Sequence, residues 1–195
     1  WTLERALSQI GAWQRSLPAG GPWFAMNVSA TELAQGEAFV ARLRAALAAN
    51  GVDGRSIELE LTERSLMAHF AENAETLRRI GELGVRCAID DFGTGYSSLA
   101  YLRRLPIDKL KIDRSFLREL ATHAADESIV RTITAMARTL GLAVVAEGVE
   151  SAAQLERVLA LGCEEWQGHY YSMPLEAADF EQLLRQRETL GKAAL

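Results

Sequence analysis

The sequence lacks the cysteines, the long apolar runs and the excess of basic residues that mark several classes of protein. Its 195 residues include two cysteines, Cys87 and Cys163, which are too few and too far apart for a disulfide framework or a zinc site. We expect both to be buried thiols in a reducing compartment. No apolar run approaches the roughly 18 to 20 residues that cross a bilayer, and residues 1–5 carry neither a Met nor a signal-peptide pattern. We therefore expect a fragment, the cytoplasmic domain of a longer protein whose membrane anchor, if it has one, lies outside these residues.

The balance of charge excludes another class. The chain carries 21 Lys and Arg against 26 Asp and Glu, a net charge of −5. Wholesale binding to duplex nucleic acid needs a basic face that displaces counterions, so we expect no such partner. With 49% apolar and 24% charged residues, and no low-complexity stretch or linker, residues 1–195 are predicted to form one globular domain.

Short runs of β-branched and apolar residues alternate with longer runs of helical period along the chain. This alternation is typical of βα units and a parallel sheet. The predicted strands are 24–29, 57–62, 86–91, 109–113, 143–149 and 164–170. The predicted helices are 1–17, 30–49, 71–83, 97–104, 126–140, 152–161 and 177–190. Ser29 and Glu32 are spaced as a capping box for the second helix, and glycines follow the last apolar position of four helices.

Six βα units suit two architectures. A (β/α)8 barrel has eight strands in about 250 residues, so a barrel here would lack two units, or roughly 60 residues. An open doubly wound sheet of six strands fits the length with no unit missing. The strand count alone leaves both architectures open.

Each predicted strand carries one polar residue near its carboxyl end, on the face given by strand alternation. In a barrel these ends converge on one mouth, where the active sites of that fold lie. Several carboxylates buried beside one lysine are costly unless cations compensate them, and oxygen ligands of this kind suit Mg²⁺ or Mn²⁺ rather than zinc. The six residues are Asn27, Glu60, Asp90, Lys111, Glu147 and Gln167.

Asp90 and Asp91 are adjacent carboxylates at a predicted strand end. Such a pair can feed two ions about 3.5 to 4 Å apart, which suits in-line displacement at a phosphate. Lys111 is expected to stay protonated and to orient the attacking water or a phosphate oxygen. The loop that follows, residues 92–99, has two glycines and small hydroxyls and can approach a ligand closely. An ordinary glycine-rich turn is the alternative interpretation of this loop. Single polar residues have alternatives too: a helix cap for Asn27, an Asx-turn for Asp90 and Asp91, and an ion pair with a lysine for Glu60.

These residues lie in motifs that resemble those of the EAL family of cyclic di-GMP phosphodiesterases. The motifs are NVSA at 27–30, ELTE at 60–63, DDFGTGYSSL at 90–99, YLRRLPIDKLKIDRSF at 101–116, AEGVE at 146–150 and QGHYYSMP at 167–174. They occur in the family's order and with near-gapless spacing over essentially the whole chain, so the resemblance is highly specific.

The resemblance implies an α/β fold, a TIM-like (β/α)8 barrel of EAL type with its first strands missing from this chain. It implies that the barrel mouth hydrolyses one phosphodiester of cyclic di-GMP to linear pGpG with two Mg²⁺ or Mn²⁺ ions. It also implies a homodimer, and sensor or GGDEF-type domains elsewhere in the full-length protein.

The resemblance also implies roles for single residues. Lys111 matches the lysine that assists the nucleophilic water, and Glu147 matches the glutamate of the metal and water network. Glu63 matches the glutamate that braces the loop from Phe92 to Ser98, which in the family couples dimerisation to metal binding. The residues matching metal ligands are Asn27, Glu60, Asp90, Asp91 and Glu147, and those expected at the substrate are Gln167 and His169.

The chain departs from the family pattern in two places. The Glu-Ala-Leu segment, which supplies a further ligand glutamate and an arginine near the substrate, has no counterpart in these residues. Loss of a metal-ligand carboxylate could abolish a two-metal site, so the sequence leaves open whether this fragment alone is active. His169 stands where the family usually has Tyr after Gln-Gly.

Two other functions remain as alternatives. One is a receptor that binds cyclic di-GMP without hydrolysing it, although a receptor has no physical need for the metal-ligand residues retained here. The other is a different barrel enzyme that removes a proton next to a carboxylate, with Lys109 and Lys111 as the base pair. The adjacent Asp90 and Asp91 argue against the second alternative.

Overall fold

The fold is built around one parallel sheet. A computed structural model describes residues 2–16, 22–94, 99–118, 120 and 124–190. Six strands lie in the order β1-β2-β3-β4-β5-β6, and every neighbouring pair is parallel. The strands are β1 (Phe24–Asn27), β2 (Ile57–Thr62), β3 (Arg86–Phe92), β4 (Lys109–Ile112), β5 (Ala143–Glu147) and β6 (Glu165–Gln167). All six predicted strands are therefore present, some of them shorter than predicted.

The strand order decides between the two architectures. A doubly wound sheet reverses its order at a switch point, whereas a barrel places each strand beside the one before it in sequence. The consecutive order seen here is that of a barrel, and the prediction of a TIM-like sheet is confirmed.

Helices follow the strands, with two differences from the prediction. The helices are α1 (Thr2–Ser16), α2 (Ala30–Leu33), α3 (Glu37–Asn50), α4 (Glu63–Ala68), α5 (Phe70–Gly81), α6 (Leu99–Leu102), α7 (Ala124–Leu140), α8 (Ala152–Ala160) and α9 (Ala177–Leu190). The single helix predicted for 30–49 is two helices, because Gly36 takes a φ of 54° that an α-helix cannot contain. The short helix α4 was not predicted, and Thr62 caps its N-terminus.

Helix ends follow the local sequence signals. The Ser29 side chain accepts a hydrogen bond from the backbone N–H of Glu32, whose carboxylate accepts from the backbone N–H of Ser29, so the predicted capping box is confirmed. Gly51 ends α3 in the left-handed conformation, with a φ of 64°. Glycine adopts this conformation without steric cost, which is why the chain can leave the helix here.

The convex face of the sheet packs against the helices and forms the core. Leu59 and Leu61 of β2, Leu110 and Ile112 of β4, and Ile89 of β3 are completely buried. Each such side chain contributes about 1.5–3 kcal/mol through burial. Cys87 and Cys163 are also buried and free, as predicted, and burial raises the pKa of the Cys163 thiol to about 12.

Helix α9 belongs to the same packed unit. Its Phe180 lies 5.1 Å, between ring centroids, from Trp13 of α1 and 6.4 Å from Phe24 of β1. Trp13 and Phe24 are stacked at 5.6 Å. The end of the chain thus packs on its beginning. Among the residues described, every helix is too short or too polar to span a membrane.

A close backbone approach at Gly54 gives a test of the packing. A Cβ at this position would lie 2.0 Å from the carbonyl oxygen of Leu83, so Gly54→Ala must displace backbone. We expect it to lower the free energy of unfolding by about 1–3 kcal/mol in urea titrations. Gly81→Ala is the matched control, since nothing lies within 4 Å of its added Cβ. Equal stability of the two variants would contradict the packing described for Gly54.

Candidate metal-binding active site

The concave face of the sheet gathers polar side chains at the carboxyl ends of the strands. Parallel pairing sets Asn27 beside Glu60, and Glu147 beside Gln167. The polar residues therefore come together because each strand ends at the same edge of one sheet. Since only strand ends meet there, residues about one βα unit apart in sequence become neighbours.

Lys111 is the centre of this edge. Its ammonium Nζ lies 2.8 Å from Glu60 Oε1 and 3.1 Å from Asp90 Oδ1, and it contacts Glu147 Oε1. The lysine is 3% exposed, so its charge is compensated by carboxylates of β2, β3 and β5 rather than by water. One buried cation thereby joins three strands.

Burial and charge set the protonation of this cluster. Burial opposes charge on Lys111, but hydrogen bonds to Glu147 and Glu60 outweigh it and hold the pKa of Lys111 above its usual range. Burial raises the pKa of Glu147, and the contact with Lys111 offsets part of that shift. Lys111 is therefore a fixed positive charge that can donate hydrogen bonds at neutral pH.

A candidate cation site lies beside the lysine. Asp90, Asp91 and Glu147 each offer a carboxylate oxygen, and these three atoms lie within 4.8 Å of one another. Asp91 is exposed and has a φ of 53°, at a point where the β3–β4 register shifts. Burial and the neighbouring Asp90 and Asp113 raise the pKa of Asp91, because anions are crowded here. Hard oxygen ligands of this kind fit a divalent cation.

The charge balance of the edge also favours cations. Five carboxylates face one lysine, so the cluster carries a formal charge of −4 that two divalent ions would neutralise. The carboxylates are those of Glu60, Asp90, Asp91, Asp113 and Glu147.

Glu63 lies behind the edge at the start of α4. It is 4% exposed, and its Oε2 accepts a hydrogen bond of 3.3 Å from the backbone N–H of Gly93. The contact ties the turn after Asp91 to the end of β2. The predicted ligand-contacting loop continues through residues 95–98, which lie outside the described part of the chain.

The remaining candidate residues lie on the two edge strands and beyond them. Asn27 of β1 and Gln167 of β6 are exposed. Their side chains are neutral amides, whereas the ion-pair partners of Lys111 are the carboxylates. His169 is exposed in the turn after β6. The structure thus brings Glu60, Asp90 and Glu147 together around the lysine and leaves Asn27, Gln167 and His169 at the rim.

Neither Asp113 nor Lys109 was predicted as part of the metal site. Asp113 shares a hydrogen bond with Asp91 and accepts another of 2.9 Å from the backbone N–H of Ser115. Its place two residues after Lys111 on the inward face of the strand was the available signal. Lys109 pairs with Glu58 and Glu165 below the edge and is 3% exposed. This position argues against the Lys109 and Lys111 base pair of the alternative enzyme.

Comparison with known proteins gives a consistent picture. A sequence model described as "EAL domain" matches residues 1–174. The chain is 44% identical over 188 residues to the cyclic di-GMP phosphodiesterase NbdA of Pseudomonas aeruginosa, covering 95% of this chain and 23% of NbdA. It is 42% identical over 186 residues to MucR of the same organism, a bifunctional diguanylate cyclase/cyclic di-GMP phosphodiesterase, covering 94% of this chain and 26% of MucR. The chain thus spans about a quarter of the length of these curated relatives.

Solved structures agree with the fold. The structure of the PaMucR phosphodiesterase in complex with c-di-GMP superposes with a TM-score of 0.86 at 40% identity, covering 92% of this chain and 72% of that one. The manganese and cyclic di-GMP complex of Klebsiella pneumoniae BlrP1 superposes with a TM-score of 0.80 at 29% identity, covering 88% and 43%.

The lysine gives a direct test of the electrostatics. Lys111→Met leaves three close carboxylates without their cation, so we expect it to lower the free energy of unfolding in EDTA by about 3 kcal/mol. Arg131→Met is the control, because Arg131 is exposed and its partner Glu127, at 2.7 Å, keeps a second ion pair with Arg157, so the loss costs less than about 1 kcal/mol. Urea titrations of both variants measure the difference, and equal losses would contradict the central role of Lys111.

Proposed function

The chain belongs to the EAL domain family of cyclic di-GMP phosphodiesterases, and from that premise we propose that it hydrolyses cyclic di-GMP to linear pGpG by a two-metal, in-line mechanism. The observation that carries the proposal is the grouping of Asp90, Asp91 and Glu147 beside Lys111 at the strand ends. This geometry holds hard oxygen ligands next to a fixed cation, which is what hydrolysis of a phosphodiester requires.

We propose that five residues hold two divalent ions, Mg²⁺ or Mn²⁺. When bound, such ions lower the pKa of a water molecule and neutralise the charge that develops on the phosphate. The fit rests on the donor set, which offers carboxylate and amide oxygens, and on the excess negative charge of the edge. The proposed ligands are Asn27, Glu60, Asp90, Asp91 and Glu147.

The residues around the ions position the reactants. Lys111 keeps its proton and donates a hydrogen bond to the attacking water or to a phosphate oxygen. The water gives up a proton to solvent as its oxygen forms a bond to phosphorus, the bond from phosphorus to the leaving ribose oxygen breaks, and that oxygen takes up a proton from solvent. Gln167 and His169, exposed at the rim, are proposed to contact the dinucleotide.

The proposal extends to assembly. Residues 1–195 form one EAL-type domain, in which α9 continues the packed unit beyond the family match at residue 174. The domain acts as a homodimer, with Glu63 linking the turn at Gly93 to the metal ligands. We propose that this domain is cytoplasmic and that sensor or GGDEF-type domains elsewhere in the full-length protein supply regulation, as the bifunctional relative MucR suggests.

Hydrolysis assays test the proposal. Conversion of cyclic di-GMP to pGpG is followed with Mn²⁺ or Mg²⁺ in this chain and in one extended by roughly 60 residues that supply a Glu-Ala-Leu segment. Glu60→Gln and Asp90→Asn should each reduce turnover by more than about 100-fold, because even outer partners of a metal site cost 10- to 100-fold. Circular dichroism should show that the fold is retained.

Glu156→Gln is the matched control, since it removes an exposed carboxylate on α8, away from the strand ends. It should leave turnover unchanged. Retained turnover in Glu60→Gln or Asp90→Asn would refute the assigned ligands. Tight calorimetric binding of cyclic di-GMP without pGpG from either chain would instead identify a receptor.

A further inference from the structure

A second layer of charged side chains lies below the candidate metal site on the same concave face. We call Glu58, Lys109 and Glu165 the basal layer. Lys109 Nζ lies 2.6 Å from Glu165 Oε2 and 3.2 Å from Glu58 Oε2. Each of the three residues precedes a residue of the upper edge by two positions on its strand, and residues two apart share a face.

The basal layer needs no metal ion for its charge balance. Arg86 Nε lies 4.0 Å from Glu58 Oε2, so two carboxylates lie near two cations, and burial raises the pKa of Glu58 against the opposing effect of Lys109. The ring of Trp23 covers Lys109, with Nζ 3.7 Å from the ring centroid. Glu58 and Lys109 are almost fully buried, and charges held in this way persist only when they are compensated. These two carboxylates therefore need no divalent ion beside them.

The basal layer links strands that are not neighbours. Glu58 lies on β2, Lys109 on β4 and Glu165 on β6, while β3 and β5 lie between them. Backbone hydrogen bonds fix the spacing of neighbouring strands at about 4.8 Å, but the rotation between neighbours varies by tens of degrees. A link across the concave face between strands two apart limits that rotation, and Lys109 makes two such links.

We propose that Lys109 is a positioning residue for the metal site, because its ion pairs with Glu58 and Glu165 set the curvature of the sheet. That curvature fixes how far Glu60 of β2 lies from Glu147 of β5, the strand that pairs with β6. The effect of Lys109 on sheet curvature is inferred from the ion-pair geometry. Its effect on metal binding rests on the proposed function.

The first experiment measures curvature directly. Nitroxide labels are placed at Arg44→Cys on α3 and Glu156→Cys on α8, two exposed helix positions, while the native cysteines are buried. Glu165→Met breaks one link and leaves Lys109 paired with Glu58. We expect the distribution of inter-label distances, from pulsed electron paramagnetic resonance, to broaden and shift to longer values.

Two further variants complete the test. Glu164→Met removes the adjacent, exposed carboxylate and should leave the distance distribution unchanged. The double variant Glu58→Met with Lys109→Met removes the buried pair without leaving an unpaired charge, and should shift the distribution as Glu165→Met does. Distances in Glu165→Met equal to those in Glu164→Met would overturn the proposal, even if the double variant did not fold.

The affinity for Mn²⁺ without substrate gives the second readout. It is measured from the electron paramagnetic resonance signal of the unbound ion. Glu165→Met should weaken Mn²⁺ binding by about tenfold and Glu164→Met should not. A purely structural role would lower the melting temperature in EDTA but leave distances and Mn²⁺ affinity of the folded chain unchanged. If distances shift while neither the unmodified chain nor the extended chain binds Mn²⁺, the curvature role stands and the proposed two-metal function fails.

Discussion

The buried ammonium of Lys111 is the interaction on which the candidate site depends. It offsets carboxylates from β2, β3 and β5 that could not otherwise share one edge of a sheet. Without this cation, like charges would separate or take up protons, and hard ligands for a divalent ion would be lost. The same group is the donor that we propose to position water. Lys111 therefore contributes to the stability of the protein without metal and, as we propose, to hydrolysis when the metal ions are bound.

Much of this arrangement could be predicted from sequence, because strand alternation is strict. The alternation of Leu59 and Leu61 with Glu58 and Glu60 distinguishes the face that packs on the helices from the face that carries the charged residues. The EAL-like motifs then identified the barrel, and the consecutive strand order agrees with it. The sequence did not predict which charged side chains form ion pairs with one another. Position near the carboxyl end of the strand singled out Lys111 for the metal edge, but the pairing of Lys109 with Glu58 and Glu165 is a tertiary property.

Short-range backbone geometry was also hard to predict. The break between α2 and α3 depends on the φ of Gly36, and the sequence around it continues a helical pattern. The part played by Asp113 depends on its distance from Asp91 across two strands, which is a tertiary property. Local signals with a direct mechanism, such as the capping box at Ser29 and Glu32, were reliable because neighbouring residues satisfy them.

The backbone at Asp91 limits what evolution can place there. A φ of 53° is readily accepted by Gly, Asn and Asp, and β-branched residues are strained in it. Of these three, Gly brings no ligand atom and Asn brings no charge. If Asp91 is a metal ligand, as we propose, its backbone conformation and its charge both favour Asp at this position. Few substitutions at position 91 would then be neutral. A substitution there in a related sequence would indicate altered function more clearly than a substitution in the core.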